Sequence, residues 1–197
     1  ILQLPAPDLE ELRAIIHDIH ADDRRASAVI DRLRSLLKKR DLQVQPVDLK
    51  DVISEVVHLL RSEATARNIE LRISVPEMLP PVQGDRVHLS QVLLNLVVNA
   101  MDSVDHGNPA HRCVTLSASP VAGDRMDVNV RDSGSGIPDH VMPRLFEPFF
   151  TTKSHGMGMG LPVSKSLIEA HHGTLSACNL PDGGAEFRIS LPITPLP

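Results

Sequence analysis

The chain has 197 residues, of which 42% are hydrophobic and 23% are charged, a composition typical of a globular protein with one large domain or one domain plus an accessory element. A net charge of -5 and an aromatic content of four Phe, without Trp or Tyr, exclude the basic surface and stacking residues of a nucleic-acid-binding protein. Two cysteines and the absence of any apolar run near the roughly 20 residues that cross a bilayer indicate a cytoplasmic protein without direct membrane contact.

The first 44 residues are dominated by a pattern typical of one long helix. Asp8 and Glu11 have the spacing of a capping box, and apolar residues then recur every three or four positions as far as Leu37. This spacing predicts a coiled-coil-like helix over about residues 8–40. Because a single helix cannot bury such a seam alone, we expect a partner helix from upstream chain, from a second copy, or from both.

Residues 45–197 alternate between helical and strand patterns. Helices are predicted after Asp48, over His88–Val104 and from Leu161, and strands over 69–75, 113–119, 126–132, 174–180 and 185–191. Residues 76–85 are expected to be an irregular connection, and the Gly-, Pro- and Thr-rich residues 133–160 a functional loop or lid. The order predicts an α+β fold: a two-layer sandwich with a mixed, mostly antiparallel sheet and helices on one face.

The helix His88–Val104 carries amides among its apolar residues. Gln91, Asn95 and Asn99 are spaced four apart and so share one side of the helix. Carboxamide oxygens are ligands that Mg²⁺ accepts, and Mg²⁺ usually arrives with phosphates. Two of these amides one turn apart therefore suggest a metal and phosphate site, and a solvated polar stripe is the alternative.

An aspartate and two glycines follow the predicted strand 126–132. Asp132 at a strand end can accept hydrogen bonds from an exocyclic amine, while Gly134 and Gly136 allow a flat ring to approach the backbone. An ordinary turn is the alternative interpretation.

A second glycine group stands directly before a predicted helix. Gly156, Gly158 and Gly160 would expose backbone N–H groups next to a helix start, which favours phosphate, and a flexible loop is the alternative. The neighbouring segment 145–153 holds three of the four Phe residues. It is interpreted as a lid that packs down and lets Lys153 reach a phosphate oxygen, or else as a small local hydrophobic cluster.

These motifs, in this order, resemble the N, G1, F and G2 boxes of sensor histidine kinases, which belong to the ATPase superfamily of gyrase, Hsp90 and MutL. The resemblance covers about residues 45–192 and implies the Bergerat ATP-binding fold, with ATP and Mg²⁺ as cofactors. It implies that Asn99 ligates Mg²⁺, with Asn95 assisting at metal or phosphate, and that Asp132 binds the adenine amine. The implied nucleotide-binding residues are Asn95, Asn99, Asp132, Gly134, Gly136, Lys153, Gly156, Gly158, Gly160 and Leu161.

The N-terminal residues resemble the second helix of a dimerisation and phosphotransfer domain. The acceptor box of the family, a His followed by an acidic residue and then Pro, is not found, and His17 and His20 are interpreted as helix-surface residues. The resemblance therefore implies an acceptor histidine upstream of Ile1, a homodimer through the N-terminal helix, and a receiver domain of a response regulator as partner. The parent protein could be anchored in a membrane through upstream sequence.

The chain also departs from the resembled family near the C-terminus. Ala185 stands where members of that family often carry a hydroxyl that helps to hold adenine.

Three other functions remain open from the sequence. An ATP-hydrolysing clamp of the gyrase, Hsp90 or MutL type usually carries Glu four residues before the metal-binding Asn, where this chain has Asn95. A scaffold with a decayed pocket is disfavoured by the intact Asn99, Asp132 and glycines. A serine kinase acting on an anti-sigma partner fits the long N-terminal helix less well.

Overall fold

A computed structural model describes residues 42–107, 110–153 and 156–193. The predicted N-terminal helix, His17, His20 and the expected dimer contact all lie outside these residues. The described part contains seven strands: β1 (Gln45–Val47), β2 (Glu70–Ser74), β3 (Val82–Gly84), β4 (Cys113–Val121), β5 (Arg125–Asp132), β6 (Thr174–Asn179) and β7 (Ala185–Pro192). Its three α-helices are α1 (Leu49–Ala66), α2 (Arg86–Gly107) and α3 (Gly160–Ala170).

The predicted α+β sandwich is confirmed. Five strands form one sheet in the order β2-β4-β5-β7-β6, in which β2 runs parallel to β4 and every other pair is antiparallel. The hairpins β4–β5 and β6–β7 are the two that the alternating segments predict. Alternate residues of β4 and β5 are buried toward the helices, among them Leu116 and Val130.

Two short strands were not predicted. β1 and β3 pair antiparallel as a separate two-stranded sheet, so part of the connection expected to be irregular is a strand. Each has three residues and β1 contains Pro46, which is too short a run to display an alternation of apolar and polar residues.

The central helix α2 is longer than its predicted core. It begins at Arg86 because the Asp85 carboxylate accepts hydrogen bonds from the amides of Val87 and His88, at 2.9 and 3.4 Å. The apolar residues assigned to its inner face are buried: Leu89, Val92, Leu93, Leu96, Val97, Ala100 and Val104. The helix therefore packs one side into the core and presents its amides along another. No helix in the described ranges is both long and apolar enough to cross a membrane.

Candidate nucleotide site

Three polar side chains follow one another at four-residue spacing along α2. They are Asn95, Asn99 and Ser103, and each contacts a different part of the fold: the start of α3, the loop before α3, and the end of β5. At a rise of 1.5 Å per residue, the first and the last lie about 12 Å apart along the helix axis. We call these three residues the α2 stripe; it contacts Asp132, Lys153 and Gly160, which belong to three of the motifs that the sequence singled out.

The Asp132 carboxylate lies at one end of the α2 stripe. Asp132 is only 4% exposed, and its Oδ1 accepts hydrogen bonds from Ser103 Oγ at 3.0 Å and from the Gly134 amide at 2.8 Å. The Ala185 amide donates a further hydrogen bond to the carboxylate. Burial raises the pKa of Asp132 above its ordinary value, although these three hydrogen bonds act in the opposite direction. The result is a buried, oriented acceptor.

Glycines allow close backbone packing around Asp132. A Cβ on Gly134 would lie 2.2 Å from Ser103 Oγ, and a Cβ on Gly184 would lie 1.9 Å from the Asp132 carbonyl oxygen. Gly136 has a φ of +77°, and the Asn179 side chain holds the next residue by accepting from the Ile137 amide at 2.7 Å. No side chain larger than hydrogen fits at Gly134 or Gly184 without displacing its neighbours.

Asn95 marks the opposite end of the α2 stripe. Its Nδ2 donates to Ser164 Oγ on α3 at 2.9 Å, and a Cβ on Gly160 would lie 2.5 Å from its Oδ1. Helix α3 begins at Gly160, with no side chain capping its first turn. Because the first amides of a helix have no partner within the helix, this start presents donors suited to an anion beside Asn95 and Leu161.

Lys153 contacts the middle of the α2 stripe. Its Nζ donates to Asn99 Oδ1 at 2.9 Å and to Asp102 Oδ2 at 2.6 Å. Arg67, at the end of α1, donates to the other Asp102 oxygen at 2.7 Å. Burial acts to raise the pKa of Asp102, but the hydrogen bonds and charges of Lys153 and Arg67 outweigh it and hold that pKa below its ordinary value.

The loop between β5 and α3 is folded against itself by its glycines. Gly158 has a φ of +65°, and a Cβ there would lie 2.4 Å from the Phe150 carbonyl oxygen. The Phe149 amide donates to the Gly158 carbonyl at 3.1 Å, while Phe149 as a whole residue is 77% exposed. Phe146 packs against the core. The Phe-rich segment is therefore neither a fully packed lid nor a closed hydrophobic cluster.

The structure brings most of the predicted site residues to the α2 stripe. Asn99 contacts Lys153, Asn95 lies against Gly160, and Asp132 contacts Gly134. Gly136 faces Asn179 on β6, and Gly156 lies against Thr151, so these two glycines contribute through the loops they shape.

Three residues that complete these contacts were not predicted from the sequence: Ser103, Asp102 and Ser164. Ser103 could have been found by extending the four-residue spacing of Asn95 and Asn99 by one step. Asp102 and Ser164 gave no comparable signal, because their partners are distant in the sequence.

Comparison with known proteins identifies the family to which this chain is similar. Residues 84–195 match the family described as "Histidine kinase-, DNA gyrase B-, and HSP90-like ATPase". The C4-dicarboxylate transport sensor protein DctS of Rhodobacter capsulatus is 36% identical over 189 residues, which are 96% of this chain and 29% of DctS. The chain spans 19 to 36% of the length of the curated relatives it matches.

Solved structures agree with the family match. The nucleotide-free catalytic domain of the histidine kinase ThkA is 30% identical, with a TM-score of 0.68 over 78% of this chain and 97% of that domain. ThkA in complex with the response regulator protein TrrA gives 0.78 at 26% identity, over 96% of this chain and 54% of ThkA. Full-length ShkA in complex with AMPPNP gives 0.76 at 27% identity, over 98% and 40% respectively. The chain therefore belongs to the histidine kinase-, DNA gyrase B- and HSP90-like ATPase family and, within it, to the ATP-binding catalytic domains of sensor histidine kinases.

Proposed function

We propose that this chain binds ATP with Mg²⁺ and transfers the γ-phosphoryl group to a histidine side chain. The observation that carries the proposal is the α2 stripe, because it connects a buried aspartate, a carboxamide already bound to a cation, and the start of a helix. Its length of about 12 Å suits an extended ligand with a flat, amine-bearing ring at one end and anionic groups at the other. An adenine nucleotide has this chemistry.

Asp132 is proposed to bind the exocyclic amine of adenine. Its Oδ1 already accepts from Ser103 and the Gly134 amide, so Oδ2 is the oxygen we assign to the ligand. Gly134 and Gly136 would form the floor under the ring, where Gly134 packs closely against Ser103 and Gly136 against Asn179. The buried Ala185 has no hydroxyl, so the proposed site contains no side-chain contact from this position to adenine.

The residues around Asn99 fit Mg²⁺. Asn99 Oδ1 is a hard oxygen that accepts a hydrogen bond from the Lys153 ammonium, and this contact supports the proposal of a cation at this position. Asn99 would hold the metal, and Asn95 would assist at metal or phosphate. When bound, Mg²⁺ supplies positive charge that offsets the charge of the phosphate oxygens.

The phosphates would lie at the start of α3. Backbone amides of Gly158, Gly160 and Leu161 are proposed to surround them, with Lys153 as a further charged donor. Gly156, whose amide donates to the Lys153 carbonyl, would shape the loop around the phosphates. In the transfer step, a neutral imidazole nitrogen forms a bond to the γ-phosphorus while the bond from phosphorus to the bridging oxygen breaks and leaves ADP. Lys153 and the amides would stabilise the developing charge.

Asn95 favours phosphoryl transfer over hydrolysis. A hydrolase of this family needs a base near the γ-phosphate to activate water, and a carboxamide has no basic site. We further propose that the accepting histidine lies upstream of Ile1 and that an aspartate of a response-regulator receiver domain then takes the phosphoryl group. A homodimer formed through the N-terminal helix and a cytoplasmic location of this chain are part of the same proposal.

The test mixes the purified chain with ATP labelled in the γ-phosphate and a polypeptide carrying the residues upstream of Ile1. We expect label on a histidine of that polypeptide, stable in alkali and lost in acid, and no label with the Asn99→Ala chain. Label on His17 of the chain itself would overturn the acceptor assignment. Acid-stable label would instead indicate a serine kinase, and release of free phosphate alone would indicate a hydrolysing clamp.

A further inference from the structure

We infer that Lys153 occupies the cation position at Asn99 in the absence of nucleotide, and that Asp102 holds it there until Mg²⁺ and phosphate take over its contacts. We call the two contacts of Lys153 Nζ, with Asn99 Oδ1 and with Asp102 Oδ2, the lysine latch. The inference rests on the proposed function, since it takes Asn99 to be the metal ligand. It adds a regulatory role for Asp102, which lies beside the proposed nucleotide-binding residues.

Lys153 and Mg²⁺ would use the same oxygen of Asn99. The Lys153 ammonium lies 2.9 Å from Asn99 Oδ1, a hydrogen-bond distance, whereas a bound Mg²⁺ needs that oxygen at about 2.1 Å. Two cations in contact with one amide oxygen would repel each other strongly in a partly buried site. Lys153 must therefore leave Asn99 for the metal to bind there.

Asp102 is fixed in the orientation that the lysine latch requires. Arg67 donates to Asp102 Oδ1 at 2.7 Å, which leaves Oδ2 directed at Lys153 at 2.6 Å. The Asp102 side chain is 24% exposed and that of Lys153 is 38% exposed, so solvent weakens this ion pair only in part. Asp102 has no assigned contact with the nucleotide; the described hydrogen-bond partners of its side chain are these two cations.

The consequence is a coupling between metal and phosphate binding. Phosphate oxygens would replace Asp102 as the acceptor for the released Lys153. The metal would replace Lys153 as the cation at Asn99. Because the latched form cannot accept the metal, the apparent dissociation constant for ADP with Mg²⁺ equals the intrinsic constant divided by the fraction of chains that are unlatched. Weakening the latch at Asp102 should therefore tighten nucleotide binding.

The test measures ADP binding in the presence of Mg²⁺ by calorimetry for a double-mutant cycle at Asp102 and Lys153. We expect Asp102→Asn to tighten binding by about three- to tenfold when Lys153 is present. In a Lys153→Met background the same change should have less than about a twofold effect, because no latch remains to be weakened. Equal effects in both backgrounds would indicate a direct influence of the lost charge and would overturn the inference.

Asp105→Asn is the matched control. Asp105 lies on α2 three residues further on and pairs with Arg67 and Arg112, but not with Lys153, so the variant removes the same charge and preserves the latch. We expect its ADP affinity to stay within about twofold of that of the unmodified chain. Tightening equal to that of Asp102→Asn would also overturn the inference.

The Asn99→Ala chain separates failure of the latch from failure of the proposed function. The latch alone is wrong if three results are found together. These are that the unmodified chain binds ADP, that Asn99→Ala loses the increase in ADP affinity given by Mg²⁺, and that Asp102→Asn leaves the ADP affinity unchanged. If the unmodified chain does not bind ADP, or if Asn99→Ala keeps the full gain from Mg²⁺, the proposed function is wrong as well.

Discussion

The backbone amide of Asp85 donates a hydrogen bond to Nε2 of His171 over 2.9 Å, which joins the start of α2 to the end of α3. The other ring nitrogen of His171 lies 2.6 Å from the Leu167 carbonyl oxygen and donates to it. His171 is 3% exposed, and both ring nitrogens are used in the neutral tautomer that carries its proton on Nδ1. This contact fixes the two helices that hold Asn95, Asn99 and the proposed phosphate-binding amides.

Replacing His171 should therefore destabilise the fold. We expect His171→Ala to lower the free energy of unfolding by about 2 to 4 kcal/mol, because it leaves a cavity and an unpaired buried amide. The measurement is urea denaturation followed by circular dichroism, since the chain has no Trp or Tyr to report by fluorescence.

The neighbouring His172 provides the control for this prediction. It is exposed and has a φ of +56°, a conformation that Asn adopts readily. His172→Asn should change the free energy of unfolding by less than about 0.5 kcal/mol. Equal losses for the two variants would contradict the structural role assigned to His171.

Two adjacent glycines in the β6–β7 turn should respond differently to alanine. A Cβ at Gly184 would lie 1.9 Å from the Asp132 carbonyl oxygen, whereas a Cβ at Gly183 would meet nothing within 4 Å. Both have positive φ, at +81° and +95°, so the backbone strain of about 1 to 2 kcal/mol is common to both variants.

Gly184→Ala should lose about 3 kcal/mol or more in the free energy of unfolding and bind ADP more weakly, because the added methyl displaces Asp132. Gly183→Ala should lose only the strain and keep its ADP affinity. Denaturation and calorimetry on both variants test this difference. An ADP affinity of Gly184→Ala equal to that of Gly183→Ala would show that the packing around Asp132 does not shape the site.

Nucleotide binding should depend on pH through Asp132. Burial raises the pKa of this carboxyl, so it stays protonated to a higher pH than an ordinary aspartate. The ionised carboxylate is a stronger acceptor for the adenine amine than the protonated carboxyl, so ADP affinity should increase as pH rises through the raised pKa and then level off. The same shift affects stability. The free energy of unfolding should fall as pH rises from the ordinary pKa of aspartate to the raised pKa, because the buried carboxyl ionises at a cost to the folded chain.

Calorimetry across the acid range checks this prediction, with Asp132→Asn as the reference that removes the titrating group. Ser103→Ala should move the midpoint to higher pH, because the Ser103 hydroxyl donates to the ionised carboxylate and lowers its pKa. A profile of the unmodified chain identical to that of Asp132→Asn would mean that Asp132 does not contact the ligand.

The fold could be predicted from the sequence because the patterns that indicate each element lie within one segment. The alternation in β4 and β5 and the apolar face of α2 each lie within one segment, and all three elements form as predicted. The strands β1 and β3 could not be predicted, since three residues display no period and their pairing joins positions more than 30 residues apart.

The candidate site could likewise be predicted only where its residues lie close together in the sequence. Asn95 and Asn99 are recognisable because one helix spaces them, and Ser103 continues that spacing. By contrast, Lys153 contacts Asp102 across 51 positions, and nothing in either segment indicates the other. Tertiary ion pairs of this kind depend on how the loop before α3 lies against α2, which is a property of the folded chain.

The most direct test of the account is calorimetry with ADP, with and without Mg²⁺, on the unmodified chain, Asn99→Ala and Asp132→Asn. One nucleotide should bind per chain; Asn99→Ala should lose the gain in affinity from Mg²⁺, and Asp132→Asn should bind about 10- to 100-fold more weakly with or without the metal, a change of about 1.4 to 2.7 kcal/mol. If both variants bind ADP as the unmodified chain does, with the same response to Mg²⁺, the two ends of the α2 stripe do not hold one nucleotide and the account is wrong.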